Sequence, residues 1–117
     1  MTKATLTRGD VVLTQFPFAD LTGSSLRPAV VVSPGSIAQD VILVAISSVV
    51  RGLVSPYDYT IEESHPEFEL TGLRVTSVLR VYKLAAVELD VLVRRLGRLG
   101  PNLQTELTNR LQNVLGL

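Results

Sequence analysis

"PAVVVSPGSIAQDVILVAISS" (residues 28–48) sets two short β-branched runs, 28–33 and 40–48, on either side of a segment rich in Pro, Gly and Ser. Branched side chains suit a pleated, half-buried surface, and the flanking breakers stop each run at strand length. The same punctuation continues outward. Upstream, "GDVVLTQF" (9–16) is a third such run. Downstream, "PYDYTIE" (56–62) and "EFEL" (67–70) alternate more weakly and predict edge or hairpin strands. "RVTSVLRVYKLAAV" (74–87) is the longest predicted strand, bent partway. Alternation would set Thr76, Val78, Arg80 and Tyr82 on one face of it, and Ser77, Leu79, Val81 and Lys83 on the other. "VLVRRLGRLG" (91–100) fits a strand or a short helix equally. After it, Leu103, Leu107, Leu111, Val114 and Leu115 recur at helical spacing, Pro101 suits a first turn, Glu106 and Arg110 stand four apart, and Gly116 suits a stop. The expected architecture is mainly β: many short strands closing into a small barrel or sandwich, followed by one packed C-terminal helix.

The 117 residues predict one domain, 1–117, with 46% hydrophobic and 19% charged residues, a globular rather than disordered balance. There is no cysteine, which excludes disulfides and thiolate metal sites. The opening "MTKATLTRGD" lacks the pattern of a signal peptide, and no apolar run approaches the roughly 20 residues of a membrane span, so a cytoplasmic protein without membrane contact is expected. The formal net charge of zero argues against a non-specific coat on nucleic acid. Charge is nevertheless uneven. Asp58, Glu62, Glu63, Glu67 and Glu69 fall in one stretch, and Arg74, Arg80, Lys83, Arg94, Arg95 and Arg98 in the next, so a basic groove and an acidic face can coexist.

Few residues stand out as chemistry. Arg27 ends a polar loop and is followed by Pro28 and a strand, which hold its backbone while its guanidinium reaches outward. Ser47 and Ser48 end an apolar run, where hydroxyls ordinarily satisfy backbone groups. Arg80 interrupts "SVLRVY", so it faces water or a partner, or is buried and paired. In an extended segment Glu63, His65, Glu67 and Glu69 would share a face, but Pro66 interrupts it, and a solvated acidic edge is expected rather than a metal site. No Ser-His-Asp pattern, phosphate-cradling Gly loop or zinc pattern is present.

Taken together, four stretches resemble the MazF/PemK family of toxin endoribonucleases. "RGDVVLTQFPFADLTGSSLRPAVVVSP" (8–34) is similar to the family's opening strand, polar loop and Arg-Pro strand. "VILVAISS" (41–48) resembles its next strand, which usually ends in Thr-Ser. "TGLRVTSVLRVYKL" (71–84) resembles its Gly-Leu segment with a later Arg-x-Asp, and the chain from Leu92 onward resembles its ending. The likeness spans nearly the whole chain in order, and "FPFADLTGS" (16–24) resembles the shorter PemK-like branch.

The resemblance implies an SH3-like barrel with helical additions, a homodimer, and a toxin of a type II toxin–antitoxin system that cleaves single-stranded RNA, often messenger RNA, without metal or cofactor. It also implies a cognate antitoxin with an acidic tail that occupies the same groove. Carried over by motif, Arg27, Ser47 and Arg80 are the candidate catalytic residues, and Ser25, Ser48 and Tyr82 the candidate RNA contacts. RNA brings its own nucleophile, the 2′-hydroxyl, so donors that align it and stabilise a dianionic phosphorane suffice. Arginine supplies a planar fork for phosphate oxygens. The implied products are a 2′,3′-cyclic phosphate and a free 5′-hydroxyl. Ser47 stands where the family has Thr, and Tyr82 where many members have Asp. A phenol is a poor base at neutral pH, which keeps open a second reading: a weak or inactive member that binds RNA or an antitoxin without cutting. A gyrase-directed toxin on a related barrel ranks last, because the tail "NVLGL" has no bulky aromatic residue.

Overall fold

The computed structural model describes residues 6–15, 26–48 and 55–117. Six strands form one sheet: β1 (Asp10–Gln15), β2 (Leu26–Val31), β3 (Asp40–Ser47), β4 (Tyr59–Ile61), β5 (Ser77–Glu88) and β6 (Leu92–Arg98), followed by the helix α1 (Pro101–Leu115). Their spatial order is β4-β5-β3-β2-β1-β6, and every neighbouring pair is antiparallel. The expected small barrel with a C-terminal helix is the architecture found, as a curled half-barrel: among the described residues β4 and β6 remain the two edges.

Both faces of the sheet are apolar, which explains why the central runs read as unbroken Val and Ile rather than as alternation. On one face Val11, Val30, Val44, Ile46 and Leu79 meet Leu103, Leu107 and Leu111 of the helix. On the other, Val12, Ala29, Val31, Val41, Leu43 and Leu92 form a second, smaller cluster with Leu6. A strand buried on both sides has no polar face to expose. The helix follows the predicted spacing, with Pro101 in its first turn and Gly116 closing it in the left-handed conformation at φ 71°. Arg8 ties sheet to helix: its Nη1 donates to the Val32 carbonyl at 2.7 Å and its Nη2 to Thr108 Oγ1 at 2.9 Å.

Three expectations change. Residues 91–100 resolve into a strand, because β6 pairs with β1 along Leu92–Arg98. "EFEL" is not a strand; Glu69–Thr71 is a single 3-10 turn ending at Gly72. Nor is the acidic stretch a solvated edge throughout. Glu67 is buried, and its carboxylate accepts the backbone N–H groups of Asn102 (3.0 Å) and Leu103 (2.9 Å). Those amides belong to the first turn of α1, where N–H groups lack partners within the helix and a negative charge complements the dipole. Glycine at position 100 makes room for this cap, since a Cβ there would lie 2.5 Å from the Glu67 carboxyl carbon. His65 contributes to the same turn, its Nδ1 accepting from the Glu67 amide at 3.0 Å.

Two substitutions check this account. Leu107→Ala removes a side chain buried to 1% exposure and should cost about 2–5 kcal/mol, read as a lowered midpoint in urea. Glu67→Ala strips two helix amides of a charged acceptor and should cost about 1–3 kcal/mol, with the loss in hydrogen-exchange protection concentrated at Asn102 and Leu103.

Candidate active site

Strand register decides which of the candidate residues meet. β2 pairs with β3 through Ala29–Ala45, and β3 pairs with β5 through Ala45–Arg80 and Ser47–Val78. Directly opposed residues on antiparallel strands share a face. Continuing the β2–β3 register by two residues sets Arg27 across from Ser47. Arg27, Ser47 and Arg80 therefore project from three adjacent strands on one face, with Ala29 and Ala45 between them. Two strand spacings separate the arginine backbones laterally, about 10 Å. Between them Ala29 is fully buried and Ala45 half-buried. Arg27 and Ser47 are both half-buried.

Arg80 is held on two sides. Its Nε lies 3.2 Å from Oδ2 of Asp58, whose side chain is fully buried, while 17% of the Arg80 side chain stays exposed. The Nε–H is not aligned for a hydrogen bond with that oxygen, so the contact is one of charge. On the other side Arg80 Nη2 donates to the Tyr82 hydroxyl at 3.1 Å, and its guanidinium carbon lies 5.8 Å from the centre of the Tyr82 ring. Arg80 is thus half-buried and paired, while part of its side chain still meets solvent. Tyr82 remains exposed beside it.

The bend expected in the long strand is a bulge. Val44 pairs with Leu84, yet the next residue, Ala45, pairs with Arg80, so 81–83 are extra residues on β5. Alternation holds up to this point, with Arg80 and Leu79 on opposite faces. Within the bulge the Val81 amide donates to Asp58 Oδ1 at 3.1 Å. Asp58 is the residue the sequence reading missed. It sits one step outside the Tyr59–Leu79 pair of β4 and β5, and only that pairing connects it with Arg80.

One other candidate lies elsewhere. Ser48 follows Ser47 by one residue and belongs to the opposite side, in an open pocket of about 250 Å³ lined with Leu13, Pro28, Arg74, Ser77 and Arg94 among others. It is not part of the Arg27–Ser47–Arg80 group. Ser25 falls outside the described residues. Of the basic stretch 94–98, Arg94 borders that pocket and Arg95 lies 3.7 Å from the buried Asp10. Among the described residues no group of three or more His, Cys, Asp or Glu side chains is placed to hold a metal ion, and no helix is long and apolar enough to cross a membrane.

The family model for PemK-like, MazF-like toxins of type II toxin–antitoxin systems matches residues 7–115. The chain belongs to this family. No curated protein matches it. Among solved structures, it is similar to an endoribonuclease from a mycobacterial species in complex with its cognate antitoxin, with 19% identity over 100% of this chain and 97% of that one, at a TM-score of 0.70. The Mycobacterium tuberculosis toxin MazF-mt6 has 18% identity over 92% and 97% of the two chains, at 0.68. A MazF from Deinococcus radiodurans has 19% over 95% and 96%, also at 0.68. At such identities what is shared is the fold.

The toxin domain couples this site to its helix through Arg110. That side chain pairs with Glu106 at 2.8 Å, donates to the carbonyls of Pro56 and Asp58, and stacks 5.0 Å from the centre of the Tyr59 ring. Arg110→Ala should loosen the segment that carries Asp58 and cost about 1–3 kcal/mol. Faster amide exchange at Asp58 and Tyr59 than at the far end of the sheet would register it.

Proposed function

We propose that this toxin-family chain is an endoribonuclease that cuts single-stranded RNA, messenger RNA included, without a metal ion. The observation that carries the reading is the placement of Arg27, Ser47 and Arg80 on one face of three neighbouring strands. Two guanidinium groups on one face of the sheet suit a bound phosphodiester: they supply positive charge and directed donors to non-bridging oxygens. The 2′-oxygen of the RNA forms a bond to phosphorus as the bond to the 5′-oxygen breaks. The proton lost from the 2′-hydroxyl is balanced by one gained at the departing oxygen. Products are a 2′,3′-cyclic phosphate and a 5′-hydroxyl. Charge accumulates on the phosphorane, where the arginines and the Ser47 hydroxyl stabilise it more than they do the ground state.

The partners follow from the same reading. A cognate antitoxin, with a tail that competes for the arginines, is supported by the family's place in two-component systems and by the mycobacterial endoribonuclease solved with its antitoxin. A homodimer and a cytoplasmic site of action complete it. Tyr82, standing where many members have Asp, favours a second reading in which the same face binds RNA or antitoxin without cleavage.

One experiment separates them. The purified protein is incubated with a long single-stranded RNA in EDTA and the fragment ends are characterised. Discrete fragments with cyclic phosphate ends, lost about 10²- to 10³-fold in rate on Arg27→Ala, are the expected result. Retention of full activity by that variant would end the assignment of Arg27, and binding with intact RNA would favour the second reading.

A further inference from the structure

We infer that Asp58 is a positioning residue for Arg80, an inference that rests on the ribonuclease reading. Its carboxylate is held through both oxygens beside the candidate site. Oδ1 accepts from the Val81 amide and Oδ2 from the Ser55 amide, each at 3.1 Å, and the side chain is wholly shielded from solvent. The two amides engage both carboxylate oxygens, which an asparagine side chain with a single oxygen could not do. Arg80, 3.2 Å away at Nε, adds its charge to these hydrogen bonds in offsetting the cost of burying the carboxylate.

The second support is Nη2, which donates to the Tyr82 hydroxyl. Asp58 and Tyr82 thus hold one arginine through two of its nitrogens before any substrate arrives. Holding the long arginine side chain in advance removes the cost of ordering it from the reacting complex. The arrangement also answers the missing family Asp: a carboxylate does reach Arg80 in this chain, from β4's flank rather than from position 82.

Charge gives the proposal a signature. Asp58 is negative and adjacent to a phosphate-binding cation, so it opposes ground-state binding of RNA while it orients Arg80. D58N should lower kcat roughly 10- to 100-fold with KM and RNA Kd unchanged or tighter. A purely structural residue would not produce that split. In an Arg80→Ala background D58N should add no further loss, because its effect passes through Arg80. Losses that multiply, or a D58N enzyme with wild-type kcat, would overturn the inference. If D58N melts well below the wild type, Y82F removes the second support from an exposed position and should show the same dependence on Arg80; independent losses there count against the proposal. Should the wild type leave RNA intact, the ribonuclease reading is what fails. The positioning claim is then decided by the Arg80 Nε–Hε resonance, which D58N should shift and expose to faster solvent exchange. An unmoved resonance would sink it.

Discussion

The pairing of β3 with β5 is the constraint on which the rest of the molecule depends. Its register is held by burial on both faces at once. Val44 and Ile46 point toward the helix while Val41 and Leu43 point away from it. A slip of one residue would exchange these sets and turn Arg80 into the apolar layer under α1. The bulge at 81–83 sits inside this pairing. It releases the Val81 amide from the ladder, and the carboxylate that rescues that amide is the one facing Arg80. Core register and site geometry are therefore set by the same few residues.

The C-terminal helix does more than cover the sheet. Its first turn is capped from a distance by Glu67, and its middle reaches the Asp58 segment through Arg110. Both contacts join helix to loop through charged groups aimed at backbone atoms, the strongest kind of hydrogen bond available to a small protein. The segment that carries Asp58 is thereby tied to the helix. A net charge of zero conceals this division of labour: acids at 10, 58 and 67 are buried and engaged internally, while Arg74 and Arg94 stay exposed.

The solved relatives share under a quarter of their residues with this chain, yet superpose along nearly its whole length. What a sheet of this kind requires is apolar volume on both sides of its central strands and breakers between them, and many sequences meet that requirement. Ser47 and Tyr82 lie outside both apolar clusters, on or beside the polar group.

By itself, the chain's pattern of β-branched runs, breakers and a leucine repeat determined the central strands, the final helix and the class of fold, because those signals are local; β6 was settled only by its pairing with β1, and 67–70 is no strand. The motifs named Arg27, Ser47 and Arg80 as candidates, and strand register sets these three on one face. Only the tertiary structure decided that Ser48 faces away from that group, since one step along a strand reverses direction. It alone made Glu67 a helix cap and Asp58 the partner of Arg80. Those two acids act on residues 35 and 22 positions away in the chain, and nothing in the neighbouring sequence marks which distant amide or cation a buried carboxylate will meet once the sheet has curled.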